Sequence, residues 1–469
     1  MKRTALLLVA VLLAMPVAAQ NTDIEALAGL QFNFGNPGAR ALGMGGAFLG
    51  LADDASAAEA NPAGLTILRK PEVSIEARNY LEQQVFTTGG TYPNVVRTPF
   101  TSYSDRAVVS FASVVYPIKN VTIGAYFHEP LRNEGGGAIF PQTDEITNEV
   151  TPLPNFYLPR DGNGPVSRDE CAQIVFNTND PFACVEYGID PFVSALSVRQ
   201  QTYGLAAGWQ VLPKLSIGAT VRFQRLNESA ATLRYKEVTQ NGQTFYQLSN
   251  ISYQATAKVN NAGDIDVQDA TDVTFGAGFK WSPAEWLSVG GVYKQGGSFA
   301  APLFFAGAQT NNDVVQVAEP TFHMPDVAGL GISIRPIPVL TVNVDAVHVT
   351  YSNLVDDFIS LAADVQDLEN PYRANDVTEL RVGAEYLFTT RIPFALRGGF
   401  WRDPAHSVEY SGPLNNPQFV AEALLYPKGE ASNHMTIGAG ISWPRFQIDV
   451  AYDTSDRYKV GSISMVTRF

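Results

Sequence analysis

Apolar and polar residues alternate along most of this chain, in runs of about ten residues that are joined in pairs by tight turns. In one such run, Ile217, Ala219 and Val221 alternate with Gly218 and Thr220. This alternation suits a strand with lipid on one face and a polar lumen on the other. A strand of this length can cross a bilayer, but its backbone groups are all paired only in a closed barrel. The pattern therefore predicts a membrane-spanning β-barrel.

The turns allow the strands to be counted. Six short turns each mark the bottom of a hairpin, at residues 117–120, 211–214, 282–285, 335–338, 389–392 and 443–445. They predict strands at 106–116, 121–129, 198–209, 214–226, 270–281, 286–294, 326–334, 339–351, 376–388, 393–402, 433–442 and 446–454. One strand before them (72–80) and one after (459–469) complete an all-β, 14-stranded antiparallel barrel with long outer loops over residues 72–469. A soluble, secreted all-β protein is the alternative, but the continuous apolar faces favour the membrane.

The two ends of the chain carry export signals. Lys2 and Arg3, an apolar run over residues 6–13 and a small-residue stretch ending at Ala19 predict a signal peptide over residues 1–19. The last predicted strand ends in Phe469, which resembles the C-terminal signal of bacterial outer-membrane barrels. We therefore expect the chain to reach the bacterial outer membrane and to be recognised there by the barrel assembly machinery.

Residues 20–71 do not alternate and are rich in Gly and Ala, with a short helical stretch at 55–60. A 14-stranded barrel has a lumen wider than its own side chains can fill. Because Phe32 and Phe34 favour burial, we expect this segment to form a hatch, or plug, inside the lumen. A disordered periplasmic tail is the alternative.

The net charge and the two cysteines restrict the classes of partner and the compartment that we expect. The formal net charge is −14, and acidic residues concentrate in the predicted outer loops, which argues against nucleic acid and suits solvated loops beside lipid and lipopolysaccharide. Cys171 and Cys184 lie in the same outer loop, so an oxidising compartment favours a disulfide, with two free thiols as the alternative. The five His are scattered, and we expect neither a metal site nor a cofactor.

Three motifs of the hatch carry a family resemblance. Residues 38–47 (GARALGMGGA), 52–57 (ADDASA) and 61–65 (NPAGL) resemble the hatch of the FadL-type long-chain fatty acid transporter family. These motifs contain five candidate hatch residues: Arg40, Asp53, Asp54, Asn61 and Pro62. The resemblance implies a passive channel for hydrophobic molecules. Ligand would be captured in a groove between the third and fourth outer loops, move to a lumen site near the N-terminus, pass a rearranged hatch and leave sideways at a kink in the third strand.

Matching pieces can be located in this chain. An apolar run in the fourth outer loop supplies a candidate groove of Phe299, Leu303, Phe304 and Phe305, and the alternative is a loop tucked into the barrel mouth. The third strand runs into His128, Glu129 and Pro130, where proline must interrupt pairing. That interruption marks a candidate lateral gap, although a strand that simply ends at the membrane surface would look the same.

Inward-facing polar residues supply candidate partners for a carboxylate head group. Arg40, Arg222, Arg381 and Arg397 could bind a carboxylate bidentately, although structural ion pairs inside the barrel are the alternative for each of them. Asp345 belongs to a further part of the family resemblance and is also expected in the lumen.

Two other functions compete with transport. An outer-membrane enzyme is disfavoured, because the sequence contains no G-x-S-x-G motif and no arrangement that suggests a catalytic triad. A branch with a similar hatch acts as a surface shuttle or attachment component for secreted proteins, and this alternative stays open. The sequence does not identify the ligand.

Overall fold

A computed structural model describes residues 34–91, 94–103, 107–139, 142–143, 150–151, 153–259, 265–311, 313–357 and 371–469. The predicted signal peptide and the predicted hatch residue Phe32 lie outside these residues.

Fourteen long antiparallel strands form one closed wall. They are Glu72–Thr91, Val108–Ile118, Val121–Ile139, Phe192–Leu212, Leu215–Gln240, Ala270–Ala284, Leu287–Lys294, Val327–Ile337, Leu340–Val349, Val377–Phe388, Phe394–Asp403, Ser432–Ser442, Phe446–Thr454 and Tyr458–Arg468. Each strand pairs with its neighbour in this order, and the first closes on the last with Glu72 opposite Arg468. We number these barrel strands one to fourteen. The predicted 14-stranded barrel is confirmed.

Alternation along the fifth strand separates lipid from lumen, as the sequence predicted. Ile217 and Val221 are exposed on the outer face, whereas Ser216, Thr220 and Arg222 are buried on the inner face. The outer apolar band is stable in lipid, and the inner polar groups find partners in the lumen. Among the helices that the structure describes, none is long and apolar enough to cross a membrane.

The outer loops build a second layer above the barrel. The fifth strand continues beyond the wall and pairs with Gln243–Ala255, so the two form a hairpin above the barrel. The other loop strands are Asn94–Tyr103, Gln142–Thr143, Val150–Thr151, Asn155–Pro159, Cys184–Gly188, Ala257–Val259, Ile265–Val267, Ser298–Ala300, Leu303–Gly307, Val315–Ala318, Thr321–His323, Tyr372–Arg373 and Glu409–Tyr410.

Short helices complete the loops and the hatch. The α-helices are Ala39–Leu42, Ala57–Ala60, Arg168–Thr178 and Pro417–Leu425, and the 3-10 helices are Pro62–Ile67, Ala308–Thr310 and Tyr351–Val355.

The disulfide belongs to the second outer loop. Cys171 and Cys184 are bonded, with their Cα atoms 5.4 Å apart, and they join the helix Arg168–Thr178 to the strand Cys184–Gly188. The disulfide interpretation is therefore confirmed. Phe156 and Leu158 of the same loop pack in one apolar cluster with Leu424 of the helix Pro417–Leu425. The second loop and this later loop thus share a core above the barrel.

Candidate ligand passage in the barrel lumen

Residues 34–65, which we call the hatch, pack against the inner face of the barrel wall, and the side-chain amide of Asn61 helps to hold them there. Asn61 Nδ2 donates to the carbonyl oxygens of Leu49 (3.1 Å) and Phe279 (3.0 Å), and Asn61 Oδ1 accepts from the Ala63 N–H (3.2 Å). The helix Ala57–Ala60 ends at Asn61, and Pro62 begins the next 3-10 helix. One fully buried amide therefore ties together two parts of the hatch and the barrel wall.

Glycines on the inner wall let the hatch backbone approach closely. A Cβ at Gly290 would overlap the carbonyl oxygen of Leu49, and one at Gly383 would overlap that of Met44. The hatch has its own requirement at Gly45, whose φ of +65° is one that residues with a Cβ rarely adopt. The small residues that the sequence concentrates in and opposite the hatch are thus explained by backbone contact.

Ion pairs join the hatch to the periplasmic half of the wall. Arg40 pairs with Asp53 (2.6 Å) and Glu385 (2.9 Å), and Asp54 lies 3.7 Å from Arg40. On the wall, Arg397 pairs with the same Glu385 at 2.7 Å. Two of the four predicted carboxylate-binding arginines, Arg40 and Arg397, therefore have protein carboxylates as partners.

Asp345 binds the hatch backbone, and Arg381 forms an ion pair within the wall. The Asp345 carboxylate accepts from the N–H groups of Phe48 (2.7 Å) and Leu49 (2.9 Å). Arg381 pairs with Glu379, and its guanidinium lies 4.7 Å from the ring centroid of Trp401. We conclude that a structural ion pair accounts for Arg381 as well. Arg222, the fourth predicted arginine, lies beside open space in the lumen.

That open space is a small cavity of about 30 Å³ in the middle of the lumen. Its apolar lining includes Phe34, Met324 and Val327, and its polar lining includes Arg222 and Lys294. The cavity has room for about one or two water molecules. A ligand of useful size would therefore have to displace Phe34 and its neighbours.

The polar end of the cavity carries an excess of positive charge. Glu59 of the hatch lies 3.0 Å from Lys294, 3.7 Å from Arg222 and 3.8 Å from His128. With His128 neutral, one carboxylate faces two cations, so the cluster has a formal charge of +1. Such a cluster can attract an anionic head group while the apolar lining covers its tail.

Sequence reasoning found Arg222 and His128 but missed Glu59 and Lys294. Both could have been noticed. Glu59 is the single charged residue of the Ala57–Ala60 helix, and Lys294 follows Gly290 and Val292 on the inward-facing positions of its strand. The partnership between them depends on the position of the hatch, which the sequence pattern does not specify.

The third strand is irregular beside this cavity. Its pairing with the fourth strand shifts register between His128 and Leu131, so Glu129 and Pro130 have no opposite residue there. The carboxylate of Glu129 accepts from Arg199 and Gln201, both at 2.9 Å. His128 and Pro130 line the cavity. The predicted interruption is confirmed as a β-bulge, and it borders the cavity directly.

The sequence and the fold are similar to those of known outer-membrane transport proteins. Residues 190–409 match the family model described as outer membrane protein transport protein (OMPP1/FadL/TodX). A Pseudomonas aeruginosa FadL homologue has a similar structure, with a TM-score of 0.57 at 13% identity over 94% of this chain and 100% of that chain. The toluene transporter TodX of P. putida has a TM-score of 0.56 at 15% identity, over 93% and 99% of the two chains. No curated protein sequence matches.

The toluene transporter TbuX of Ralstonia pickettii has the same fold, with a TM-score of 0.51 at 15% identity over 93% of this chain and 99% of that one. The family match and the closed 14-stranded wall agree. This chain is similar to the FadL-type outer-membrane proteins over residues 190–409. Transport is the activity that the matched proteins are named for, and two of the similar structures are named as toluene transporters.

One interpretation of the site residues is wrong. The run containing Phe299, Leu303, Phe304 and Phe305 is not an exposed groove, because these side chains are only 1 to 7% exposed. Phe299 belongs to a buried apolar cluster with Met324, Val327 and Tyr351, which we call the apolar cluster of the upper lumen. The strand Leu303–Gly307 pairs with a loop strand on each side, and the Phe304 ring lies 6.1 Å from the Tyr253 ring of loop three, centroid to centroid. The loop tucked into the barrel mouth, which was the alternative, describes Phe299 better.

Outer loops three and four nevertheless meet and expose other apolar residues. Leu303–Gly307 of loop four pairs with residues 250–254 of loop three. Phe245 and Leu248 are exposed on loop three, and Val315 and Val317 on loop four. Both loops therefore expose apolar residues that the sequence pattern did not single out.

Proposed function

We propose that this barrel is a passive channel for long-chain, fatty-acid-like molecules, which rest in the lumen cavity beside Arg222 and Lys294. The observation that carries the proposal is the composition of that cavity, with apolar side chains at one end and a net cationic cluster at the other. Burial of methylene groups favours entry by about 0.8 kcal/mol for each CH₂. A carboxylate head group would pair with the excess cation.

Entry would begin at the apolar surface of loops three and four and continue through the apolar cluster of the upper lumen. This cluster contains Phe299, Met324, Val327 and Tyr351, and Phe34 packs against it. A continuous series of apolar contacts lets a ligand advance without an energy source. Because the cavity is too small for a lipid, the hatch must move at Phe34 before the ligand can settle.

Exit would be sideways at the third-strand bulge of His128, Glu129 and Pro130. Two of these residues line the cavity, and the neighbouring second strand pairs with the third only as far as Phe111 opposite His128. Among the described residues above that level, the third strand pairs with one barrel strand, the fourth. A path through the wall at this point would release a ligand into the bilayer, where its tail stays solvated by lipid.

The same proposal includes export of the chain and its contacts with the outer membrane. In this proposal, a signal peptide over residues 1–19 directs export. Residues 20–71 form the hatch, and residues 72–469 form the barrel. The outer loops would meet lipopolysaccharide, and Phe469, which is exposed, would contact the barrel assembly machinery.

The proposal predicts that the protein retains ligand when it is extracted gently. Mass spectrometry of protein purified in a mild detergent should find fatty acids in near-stoichiometric amounts, and the Lys294→Met variant should lose most of them. A barrel purified in parallel without this lumen cluster serves as the control for lipid carried by detergent. Co-purification of a secreted protein without enriched lipid would instead favour the shuttle function.

A further inference from the structure

The upper lumen holds a buried carboxyl group that the proposed passage does not use. Glu228 lies on the inward face of the fifth strand, beyond Leu226, where pairing with the sixth strand ends opposite Ala270. From there the fifth strand pairs with the loop strand Gln243–Ala255 instead. Glu228 therefore lies above the membrane-spanning part of the wall, between the outer loops and the central cavity.

The surroundings of Glu228 are apolar. Its side chain is 1% exposed, and neither carboxyl oxygen has a hydrogen-bond partner in the part of the chain that the structure describes. Leu226 and Ala230 flank it on the same face, Val198 lies opposite on the fourth strand, and all three belong to the apolar cluster of the upper lumen. Burial raises the pKa of Glu228 to about 7. A neutral carboxyl group that can both donate and accept a hydrogen bond is thus favoured here.

Other uncharged polar atoms on the same two strands also have no hydrogen-bond partner among the residues that the structure describes. They are Ser194 Oγ, Gln200 Oε1, Thr202 Oγ1 and Thr232 Oγ1, and their residues are buried. Ser194 lies directly opposite Thr232, four residues beyond Glu228. Buried polar atoms are normally bonded to protein, water or ligand. A stripe of unused hydrogen-bonding capacity therefore runs along these two strands, beside the apolar residues Leu226, Ala230 and Val198.

We propose that Glu228 is the hydrogen-bonding residue of a second lumen site, which takes the hydroxyl group of a neutral alcohol or phenol. The hydroxyl would exchange hydrogen bonds with the Glu228 carboxyl while the hydrocarbon part contacts Leu226 and Val198. A hydrocarbon without a hydroxyl leaves the carboxyl unsatisfied, so the site discriminates between the two.

Charged ligands fit this site less well. An anionic head group would meet a carboxyl group that no cation among the described residues compensates, so its binding would oppose any ionisation of Glu228. A cationic ligand would have to advance toward the positive cluster of Arg222 and Lys294. The hydroxyl and amide oxygens of the stripe suit a neutral hydroxyl group.

The inference rests on the proposed function, in that it assumes a lumen open to lipophiles. The test is equilibrium dialysis of the full-length barrel in detergent with 4-ethylphenol and ethylbenzene, each corrected for partition into protein-free micelles. Wild type should bind 4-ethylphenol more tightly, and the ratio of the two dissociation constants should fall about fivefold in Glu228→Leu. Glu228→Gln, which keeps hydrogen-bonding groups at the position, should change the ratio by less than about twofold.

Heat-modifiable electrophoretic mobility should be normal in both variants, since removal of an unpaired buried carboxyl relieves a desolvation penalty. An unchanged ratio in a folded Glu228→Leu barrel would overturn the inference while leaving lipophile binding intact, and it would assign the stripe to water alone. Failure of wild type to bind either compound would reject the proposed function together with this site.

Discussion

Substitution of Gly290 by valine should unseat the hatch and open the barrel to hydrophilic solutes. A Cβ at Gly290 would overlap the Leu49 carbonyl oxygen and lie 2.9 Å from Asn61 Nδ2, at the point where that amide bonds Leu49. Overpacking of this kind costs about 1–3 kcal/mol, which would raise the unseated fraction about tenfold or more. We expect higher single-channel conductance in planar bilayers and greater sensitivity of cells to a large antibiotic such as vancomycin.

Gly461 provides a matched control, because it is also a strand glycine of the wall and a Cβ there would meet nothing within 4 Å. The Gly461→Val barrel should keep wild-type conductance, and both variants should show the heat-modifiable mobility of a folded barrel. Wild-type conductance in a folded Gly290→Val barrel would contradict the contact between hatch and wall that we describe.

Opposite effects on ligand affinity should follow from two substitutions in the Glu59 cluster. Lys294→Met removes one cation and leaves Glu59 with Arg222, so oleate affinity should fall by about tenfold or more. Glu59→Gln removes the protein's own carboxylate and leaves both cations for the ligand, so oleate affinity should rise. An uncharged alkylbenzene should bind both variants with affinities close to that of wild type, because its contacts are apolar.

Tryptophan-fluorescence titration of each folded variant would measure these affinities. If both substitutions weakened oleate and alkylbenzene equally, the cluster would serve only to hold the hatch in place. If Glu59→Gln lowered oleate affinity while alkylbenzene binding stayed normal, the head group would not lie at this cluster.

The barrel could be predicted from the sequence because its cause is local. Alternation over one strand decides which side chains face lipid, and the short turns decide which strands pair, so the predicted count of fourteen agrees with the wall. The β-bulge could be predicted for the same reason, since Pro130 has no N–H to donate to a ladder. Cys171 and Cys184 were close enough in sequence to be recognised as a pair.

The lumen site could be predicted only in part, because it depends on contacts between distant segments. Lys294 meets Glu59 across 235 positions of sequence, and alternation alone shows only that Lys294 faces inward. The groove prediction failed for a related reason. The composition of Phe304 and Phe305 indicates an apolar surface, but whether that surface is exposed depends on strand pairing with loop three.

The central claim is that lipophiles cross the outer membrane through this lumen. It is tested most directly by the initial rate at which intact cells take up radiolabelled oleate at a limiting concentration. Cells that lack the protein should take up oleate severalfold more slowly than cells with the wild-type barrel, and Lys294→Met should restore little of the difference. Equal rates with and without the barrel, accompanied by loss of a secreted protein from the cell surface, would contradict the claim and favour the shuttle function.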